Sequence, residues 1–281
     1  MHLEIEILSG AGNIFAVIDN SSINKPFDFY RTNSVLIAQS IEFGDLKCEG
    51  VIVVNKSDVF NFDVWFFNPD GSSGMMCGNG GRCAVEFASR KISFDNSDNI
   101  TFKMAGNIYN AKFNNNLIML ELPDYNFIEE NVQIDVGDGI ITGDYINVGS
   151  DHFVFDFETS FLSKLYNFDD TELLTIIKQI REHKYFERGV NVNYYIKTDT
   201  PDCFILKTYE RGVEAVTGAC GTGAVSSAIS INLKYRIDFP IQLIPPSNES
   251  LLVDRIIQDN KRAKFILTGP AIKIMSFFKE L

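Results

Sequence analysis

Alternating apolar and polar residues predict several short strands and two helices in the first half of the chain. Asn33 is expected to cap a helix over residues 34–42, and a second helix follows Cys77 and runs to about Arg90. Strands are predicted over residues 3–7, 14–19, 51–54, 63–68, 100–104, 107–113 and 117–122.

The same order of elements begins again after Pro123. Asp169 or Asp170 is expected to cap an amphipathic helix, and another helix follows Cys220. The apolar stripe of the amphipathic helix consists of Leu173, Leu174, Ile177 and Ile180. Strands are predicted over residues 140–148, 153–157, 191–197 and 202–209, with hairpin-like strands within 251–274. Each half therefore shows one mixed α+β pattern, unlike the strict strand-helix alternation of a dinucleotide-binding fold.

Length and composition are typical of a globular protein of one large or two smaller domains. The chain has 281 residues, of which 45% are hydrophobic and 22% charged. A net charge of -12 argues against a nucleic-acid partner, because phosphate binding needs clustered Lys and Arg. The start of the chain lacks the pattern of a secretory signal, and the longest uncharged stretch, 215–233, is too polar for a membrane span. No membrane association is expected.

The five cysteines indicate reduced thiols in the cytoplasm, since their number is odd and no secretory signal accompanies them. No metal site is expected, because Cys77 and Cys83 lack His partners at suitable spacing. Cys83 and Cys203 are expected in the core, and Cys48 in a loop without a role.

Two segments of the chain repeat one arrangement around a cysteine. Residues 67–88 contain Cys77 and residues 209–230 contain Cys220, each followed by Gly-Asn-Gly or Gly-Thr-Gly and a helical pattern. Nine residues upstream of the cysteine stands a polar residue, Asn68 in one copy and Arg211 in the other. A cysteine at a helix N-terminus lies among unpaired N–H groups and near the positive end of the helix dipole, which favours its thiolate.

Two such cysteines suggest two bases acting on opposite faces of one α-carbon. One thiolate would remove the weakly acidic α-hydrogen of an amino acid while the other thiol returns a proton, so that the configuration inverts without a cofactor. The two thiols must then differ in protonation and titrate as a coupled pair. The substrate carboxylate is expected to bind the backbone N–H groups of Gly78, Asn79, Gly221 and Thr222. A single Cys-Gly-x-Gly would instead indicate a packed core cysteine.

Motifs spread over most of the chain resemble those of the diaminopimelate epimerase family. GAGNIFAVID at 10–19 is similar to the N-terminal segment of the family, and FNPDGSSGMMCGNGGRC at 67–83 to its first cysteine motif. FERGVNVNYY at 186–195 resembles its Asn-Val-Asn strand. TYERGVEAVTGACGTGA at 208–224 is close to its second cysteine motif, and LTGPA at 267–271 to its C-terminal strand.

The resemblance implies an α+β fold of two pseudo-symmetric domains, each a curved, mostly antiparallel sheet around a central helix. Residues 1–120 with 268–281 would form the half carrying Cys77, and 121–267 the half carrying Cys220. It implies catalytic roles for both cysteines, a small amino-acid substrate, no cofactor and a homodimer. The activity expected is epimerisation of LL-2,6-diaminoheptanedioate to its meso form. The further substrate-binding residues implied are Asn13, Asn68, Ser150, Asn191, Glu210 and Arg211.

Side-chain chemistry agrees with these assignments. Arg211 can bind a carboxylate as a fork, Glu210 can bind an ammonium group, and asparagine can serve either. Taken singly, however, Asn68 could be a turn residue, Asn191 a strand-end residue, and Glu210 with Arg211 a surface ion pair.

The sequence departs from the family pattern at three places. Ser150-Asp151-His152 stands where the family has Asn/Ser-Pro-His, with Ser150 a candidate carboxylate donor and His152 expected in a structural role. The glycine-rich loop is altered at 43–50, and Ile14 replaces an Asp. Two alternatives therefore stay open: a racemase of the same fold acting on another amino acid, and a non-catalytic amino-acid-binding or thiol-redox protein.

Overall fold

The computed structural model describes residues 2–43, 46–92, 99–164, 170–257 and 263–280. They form two compact units, Met1–Leu122 with Leu267–Leu281, and Pro123–Ile266. The units divide two residues after the first predicted boundary and one residue before the second.

The first unit contains two helices and the strands that surround them. Its elements before the first boundary are β1 His2–Gly10, β2 Asn13–Asp19, α1 Phe27–Gln39, β3 Glu42–Phe43, β4 Leu46–Asn55, β5 Phe62–Phe67, α2 Gly78–Lys91, β6 Ile100–Met104, β7 Asn107–Asn114 and β8 Leu117–Leu122. The last strand of the chain, Ile272–Glu280, pairs antiparallel with β1.

The second unit repeats most of these elements in the same order, with an additional strand at its start. Its elements are β9 Phe127–Asp135, β10 Ile140–Asn147, β11 Asp151–Asp156, a 3-10 turn at Phe161–Lys164, α3 Asp170–Arg181, β12 Asn191–Lys197, β13 Cys203–Glu210, β14 Ala215–Val216, α4 Gly221–Tyr235, β15 Ile241–Ile244 and β16 Leu251–Ile257. Strands β17 Ala263–Pro270 and β18 Ile272–Glu280 complete the chain.

The order and sense of strand pairing repeat between the units. In the first, β1 and β2 pair antiparallel, β2 and β4 parallel, β4 and β5 antiparallel, β5 and β6 parallel, and β6 and β7 antiparallel. In the second, the same sequence of senses joins β10, β11, β12, β13, β15 and β16. Each parallel pair is joined by a helical crossover, as parallel strands require. The duplicated pattern expected from the sequence is confirmed.

Each unit wraps its sheet around one central helix. Helix α2 contacts β1, β2, β4, β5 and β8, and α4 contacts β10, β11, β12, β13 and β15. Every residue from 78 to 85 of α2 is buried, as is every residue from 223 to 231 of α4. Glycine, alanine, serine and cysteine predominate there, so strands can approach on all sides; a helix buried all round is the expected result. Among the helices of the described residues, none is long and apolar enough to cross a membrane.

The outer helices cover the opposite sheet faces with narrower apolar stripes. Helix α1 packs on β4 through Tyr30 and Ile37, and α3 packs on β12 through Ile177 and Ile180. The predicted stripe of α3 is confirmed, with Leu173 and Leu174 partly buried at its margin. Asp169 lies outside the described residues, as does the side chain of Asp170.

Two local predictions were wrong. Helix α1 begins at Phe27, directly after Pro26, and Asn33 lies within it, donating its side-chain amide to the Phe29 carbonyl at 2.8 Å. Proline is favoured at a helix start because its fixed φ suits the first turn. Cys48 is not in a loop: it lies buried in β4, where its Sγ is 3.2 Å from the Gly50 carbonyl oxygen. Residues 44–45 of the altered loop, and 258–262 of the predicted tail hairpin, lie outside the described residues.

Candidate active site

Cys77 and Cys220 begin their helices with nearly the same geometry. Both are N-cap residues in extended conformation, with φ and ψ of -121° and 113° at Cys77 and -123° and 115° at Cys220. Each sulfur accepts a hydrogen bond from the backbone N–H three residues later, at 3.3 Å from Gly80 and 3.4 Å from Gly223. Sulfur thus replaces the oxygen of an ordinary N-cap residue. The predicted position of both thiols at a helix start is confirmed.

In the first unit, the start of α2 lies against the turn between β1 and β2. A Cβ atom added to Gly10 would be 2.8 Å from the Asn79 carbonyl oxygen, so only glycine permits this approach. Asn13 pairs with Gly10 across the hairpin and is buried. The turn therefore brings Asn13 near the helix start that contains Gly78 and Asn79. Cys77 is half-buried there.

A buried arginine fixes the side chain of Asn79. Arg82 has no exposed surface; its Nη2 donates to Asn79 Oδ1 at 2.8 Å, and its Nε lies 3.5 Å from the Pro270 carbonyl oxygen. The amide oxygen of Asn79 thus points towards the guanidinium. Sequence reasoning assigned only the backbone N–H of Asn79 and did not identify Arg82.

Asn68 closes the turn that leads to the first cysteine. Its backbone N–H donates to the Ser72 carbonyl at 2.8 Å, and its side-chain amide donates to Ser72 Oγ at 2.8 Å. These bonds are those of a turn residue, one of the two interpretations left open. A contact between Asn68 and substrate stays a prediction.

In the second unit, Cys220 contacts a carboxyl group and a hydroxyl group. Its sulfur lies 3.6 Å from Thr222 Oγ1 and hydrogen-bonds with the side chain of Glu210, which also accepts from the Thr217 hydroxyl. Burial raises the pKa of Glu210, and the bonds from Thr217 and Cys220 partly oppose that rise. A carboxyl group with a raised pKa is a stronger base than an ordinary carboxylate, so Glu210 can accept a proton from the neighbouring thiol.

His152 is a fully buried, neutral ring in the same unit. Its Nε2 lies 2.7 Å from Ser150 Oγ and 3.0 Å from Thr222 Oγ1, and its Nδ1 lies 3.0 Å from Asn193 Nδ2. Burial lowers the pKa of His152 to about 3, so the ring carries no charge at neutral pH. Ser150 therefore hydrogen-bonds with His152 and Thr222, and its predicted contact with a substrate carboxylate stays a prediction.

Arg211 is held in place by backbone oxygens and by a buried carboxylate. Its Nη1 donates to the carbonyl groups of Arg188 and Gly189 at 3.2 and 3.0 Å, and lies 3.6 Å from Asp151 Oδ2. Asp151 also pairs with Arg188 at 3.3 Å. The negative charge that Asp151 brings to this turn is thus matched by two guanidinium groups.

Asn191 joins these residues from the start of β12. Its Oδ1 accepts from the Arg211 backbone N–H at 2.9 Å, and its Nδ2 donates to the Asp151 carbonyl at 2.9 Å. Asn191 therefore positions Arg211, while its own contact with substrate stays a prediction. The second unit thus brings together seven predicted site residues: Ser150, Asn191, Glu210, Arg211, Cys220, Gly221 and Thr222.

Sequence reasoning missed three polar residues of this cluster. Asn193, Thr208 and Thr217 are all buried and all bonded to it. One signal was present: Asn193 lies two residues after Asn191 on β12, whose other residues up to Ile196 are apolar or aromatic, and side chains two apart share a face. Thr208 is its cross-strand partner in the antiparallel pair.

Comparison with known proteins places the chain in a family. No family model matches it. A diaminopimelate epimerase of Hydrogenobaculum sp. (strain Y04AAS1) is 33% identical over 278 residues, covering 94% of each chain. One from Aquifex aeolicus (strain VF5) is 33% identical over 286 residues, covering 97% of this chain and 96% of the relative.

Solved structures show the same fold at low identity. A PhzF-family phenazine biosynthesis protein of Bacillus anthracis matches with a TM-score of 0.72 and 9% identity over all of both chains. A hydroxyproline epimerase of Agrobacterium vitis matches with a TM-score of 0.71 and 13% identity, over 99% of this chain and 92% of the other. The expected α+β fold is confirmed. The protein is an isomerase, and its chain belongs to the diaminopimelate epimerase family.

Proposed function

We propose that the protein epimerises LL-2,6-diaminoheptanedioate to the meso form by a two-thiol reaction that needs no cofactor. The observation that carries the proposal is the matched pair of helix-capping cysteines, one in each unit. Inversion at an α-carbon needs a base on one face and an acid on the other, and a duplicated helix start supplies two groups of the same kind.

The surroundings of Cys220 support its role as a base. Its sulfur accepts from the Gly223 N–H, stands at the positive end of α4 and contacts Glu210. Glu210 can hold the thiol proton while the thiolate acts, because its raised pKa makes it a better proton acceptor than an ordinary carboxylate. The N–H groups of Gly221 and Thr222 at the same helix end suit the carboxylate next to the reacting carbon.

Cys77 supplies the second thiol. Its sulfur has the same helix-end position and accepts from Gly80. In this proposal the N–H groups of Gly78 and Asn79 bind the carboxylate from one helix, and those of Gly221 and Thr222 bind it from the other. In the proposed reaction one sulfur takes the α-hydrogen and the other returns a proton to the opposite face, which leaves one thiol and one thiolate before and after.

Arg211 supports a substrate with a second carboxylate. Its Nη1 is anchored on two backbone carbonyl groups, which fixes the plane of the guanidinium and leaves its fork oriented before a ligand arrives. A carboxylate bound to a preoriented fork loses less entropy on binding. The distal, non-reacting amino-acid head of diaminoheptanedioate offers such a group.

Chiral chromatography of a substrate mixture tests the proposal. The purified protein is incubated with LL-diaminoheptanedioate, lysine, ornithine, glutamate and proline, and each stereoisomer is quantified. Conversion confined to diaminoheptanedioate is expected, and Arg211→Lys should raise KM because a point charge cannot form the two parallel bonds. Conversion of an ordinary amino acid would support the racemase alternative. Absence of any conversion, with thiol–disulfide turnover of Cys77 and Cys220, would favour the redox alternative.

The homodimer implied by the family resemblance is also a proposal. Light scattering after size-exclusion chromatography measures the mass directly, with about 63 kDa expected for two chains of 31.6 kDa.

A further inference from the structure

The side-chain amide of Asn193 can take only one orientation. Its nitrogen lies 3.3 Å from the carbonyl oxygens of both Phe153 and Asn191, and its oxygen accepts from the Thr208 hydroxyl at 2.8 Å. Carbonyl oxygens only accept, so the atom facing them must be the amide nitrogen. Exchanging the two amide atoms would set three oxygens against one another in a buried site.

This orientation determines which nitrogen of His152 carries the proton. The Asn193 nitrogen, a donor, faces Nδ1 at 3.0 Å, so Nδ1 must be the accepting nitrogen. The neutral ring therefore has its hydrogen on Nε2. That nitrogen faces two hydroxyl groups, Ser150 Oγ at 2.7 Å and Thr222 Oγ1 at 3.0 Å.

The position of this hydrogen decides where the Thr222 hydroxyl can donate. His152 donates to Ser150, the nearer hydroxyl, and Ser150 donates to Thr222 at 3.1 Å. The Thr222 hydrogen cannot point at Nε2, which already carries one. The neighbouring acceptor is Cys220 Sγ at 3.6 Å, within the range of a hydrogen bond to sulfur.

We propose that Asn193 sets the direction of a hydrogen-bond chain from His152 through Ser150 and Thr222 that ends by donating to Cys220 Sγ. The chain stabilises the thiolate without supplying a proton to substrate, so Asn193, His152 and Ser150 are positioning residues. With the opposite tautomer, Nε2 would accept a hydroxyl hydrogen and the chain would run away from the sulfur. This inference rests on the proposed function only in taking the Cys220 thiolate as a base. The tautomer of His152 does not depend on that function.

Nuclear magnetic resonance of the wild-type protein tests the tautomer directly. The protein has three histidines, so labelling with 15N-histidine gives a simple two-bond correlation spectrum. The signals that are missing from the spectrum of His152→Gln identify the His152 ring. The protonated nitrogen should be Nε2, recognised by its couplings to both carbon-bound ring protons. A spectrum with Nδ1 protonated would overturn the proposal, whatever the activity of the protein.

One substitution should reverse the hydrogen-bond chain, because it replaces the Asn193 amide nitrogen with an oxygen. Asn193→Asp places an oxygen opposite His152 Nδ1, so the ring should change to the Nδ1–H tautomer, which leaves no hydrogen on Nε2. In the same variant the pH midpoint for alkylation of Cys220 should rise. The introduced carboxylate is buried, so circular dichroism first has to verify that the variant folds. Ser150→Ala provides a second way to interrupt the hydrogen-bond chain.

Alkylation by iodoacetamide measures the effect at the sulfur. The tryptic peptide 212–234 carries Cys220 alone among the five cysteines, so mass spectrometry reports its modification separately. Thr222→Val removes the last donor, and its alkylation midpoint should rise by about one pH unit, the effect of one hydrogen bond to a charged group. Thr222→Ser keeps the hydroxyl and should keep the wild-type midpoint. Equal midpoints in the Val and Ser variants would show that no bond to the sulfur exists and would refute the proposal, independently of whether diaminoheptanedioate is epimerised.

Discussion

Acidification should destabilise the protein through His152. The ring is fully buried, and its pKa of about 3 is far below the value of about 6.5 for an unfolded histidine. Between these values the unfolded chain binds a proton that the folded protein does not. The stability contributed by the neutral ring is therefore complete above about pH 6.5 and is lost progressively as the pH falls towards about 3.

The size of the loss follows from the difference between the two pKa values. Each pH unit within the window costs about 1.4 kcal/mol, because one proton is taken up on unfolding. Lowering the pH from 7 to 4 should therefore remove about 3 kcal/mol through this one residue. That is a substantial share of the stability of a typical domain, about 5–15 kcal/mol.

Urea denaturation followed by far-UV circular dichroism measures the effect at both pH values. Other groups also titrate, so the quantity to compare is the fall in unfolding free energy from pH 7 to pH 4 in wild type and in His152→Gln. The fall should be about 3 kcal/mol smaller in the variant. His183→Gln, the same exchange at a partly exposed position, controls for the substitution itself. Equal falls in wild type and His152→Gln, within about 1 kcal/mol, would refute the reasoning.

Three further predictions concern the helix starts and the first unit. Gly223→Ala would place a Cβ 2.5 Å from the buried Asn193 Oδ1, whereas the Cβ of Gly80→Ala, at the matching position of α2, would be 3.3 Å from its nearest neighbour. Urea denaturation should therefore show a loss of unfolding free energy about 2 kcal/mol larger for Gly223→Ala, and equal losses would contradict this. Cys77→Ser and Cys220→Ser should each lower the epimerisation rate by at least about 10²-fold by chiral chromatography, because an alcohol is a much poorer base; near wild-type activity in either would exclude that thiol. Glu6→Gln would leave three cations around an uncharged buried amide, so the unfolding free energy should fall by about 3 kcal/mol at pH 7; a change near zero would show that the carboxylate is dispensable.

The duplicated architecture could be predicted because its signals are local. Cys77 and Cys220 each precede glycines and a helical run, and the caps formed where those residues indicated. Helix α1 was placed seven residues late because Asn33 resembles a cap. Its side chain bonds to a carbonyl four residues earlier in the same helix, an alternative that sequence does not distinguish.

The polar cluster around Cys220 could be predicted only in part, because its contacts join distant strands. Asn193 and Thr208 meet through the register of β12 and β13, which no local pattern specifies. The effect of Asp151 likewise could not be judged from its charge alone. It depends on Arg188 and Arg211, which lie 37 and 60 residues further along the chain.

Solvent isotope distribution early in the reaction tests the two-thiol account most directly. LL-diaminoheptanedioate is converted in heavy water to a few per cent, and product and remaining substrate are analysed separately by mass spectrometry. Because one sulfur takes the substrate hydrogen and the other, exchanged with solvent, returns deuterium, the meso product should carry one deuterium while the recovered substrate carries almost none. Equal deuterium in both stereoisomers would indicate a single base that serves both faces, and would contradict the account.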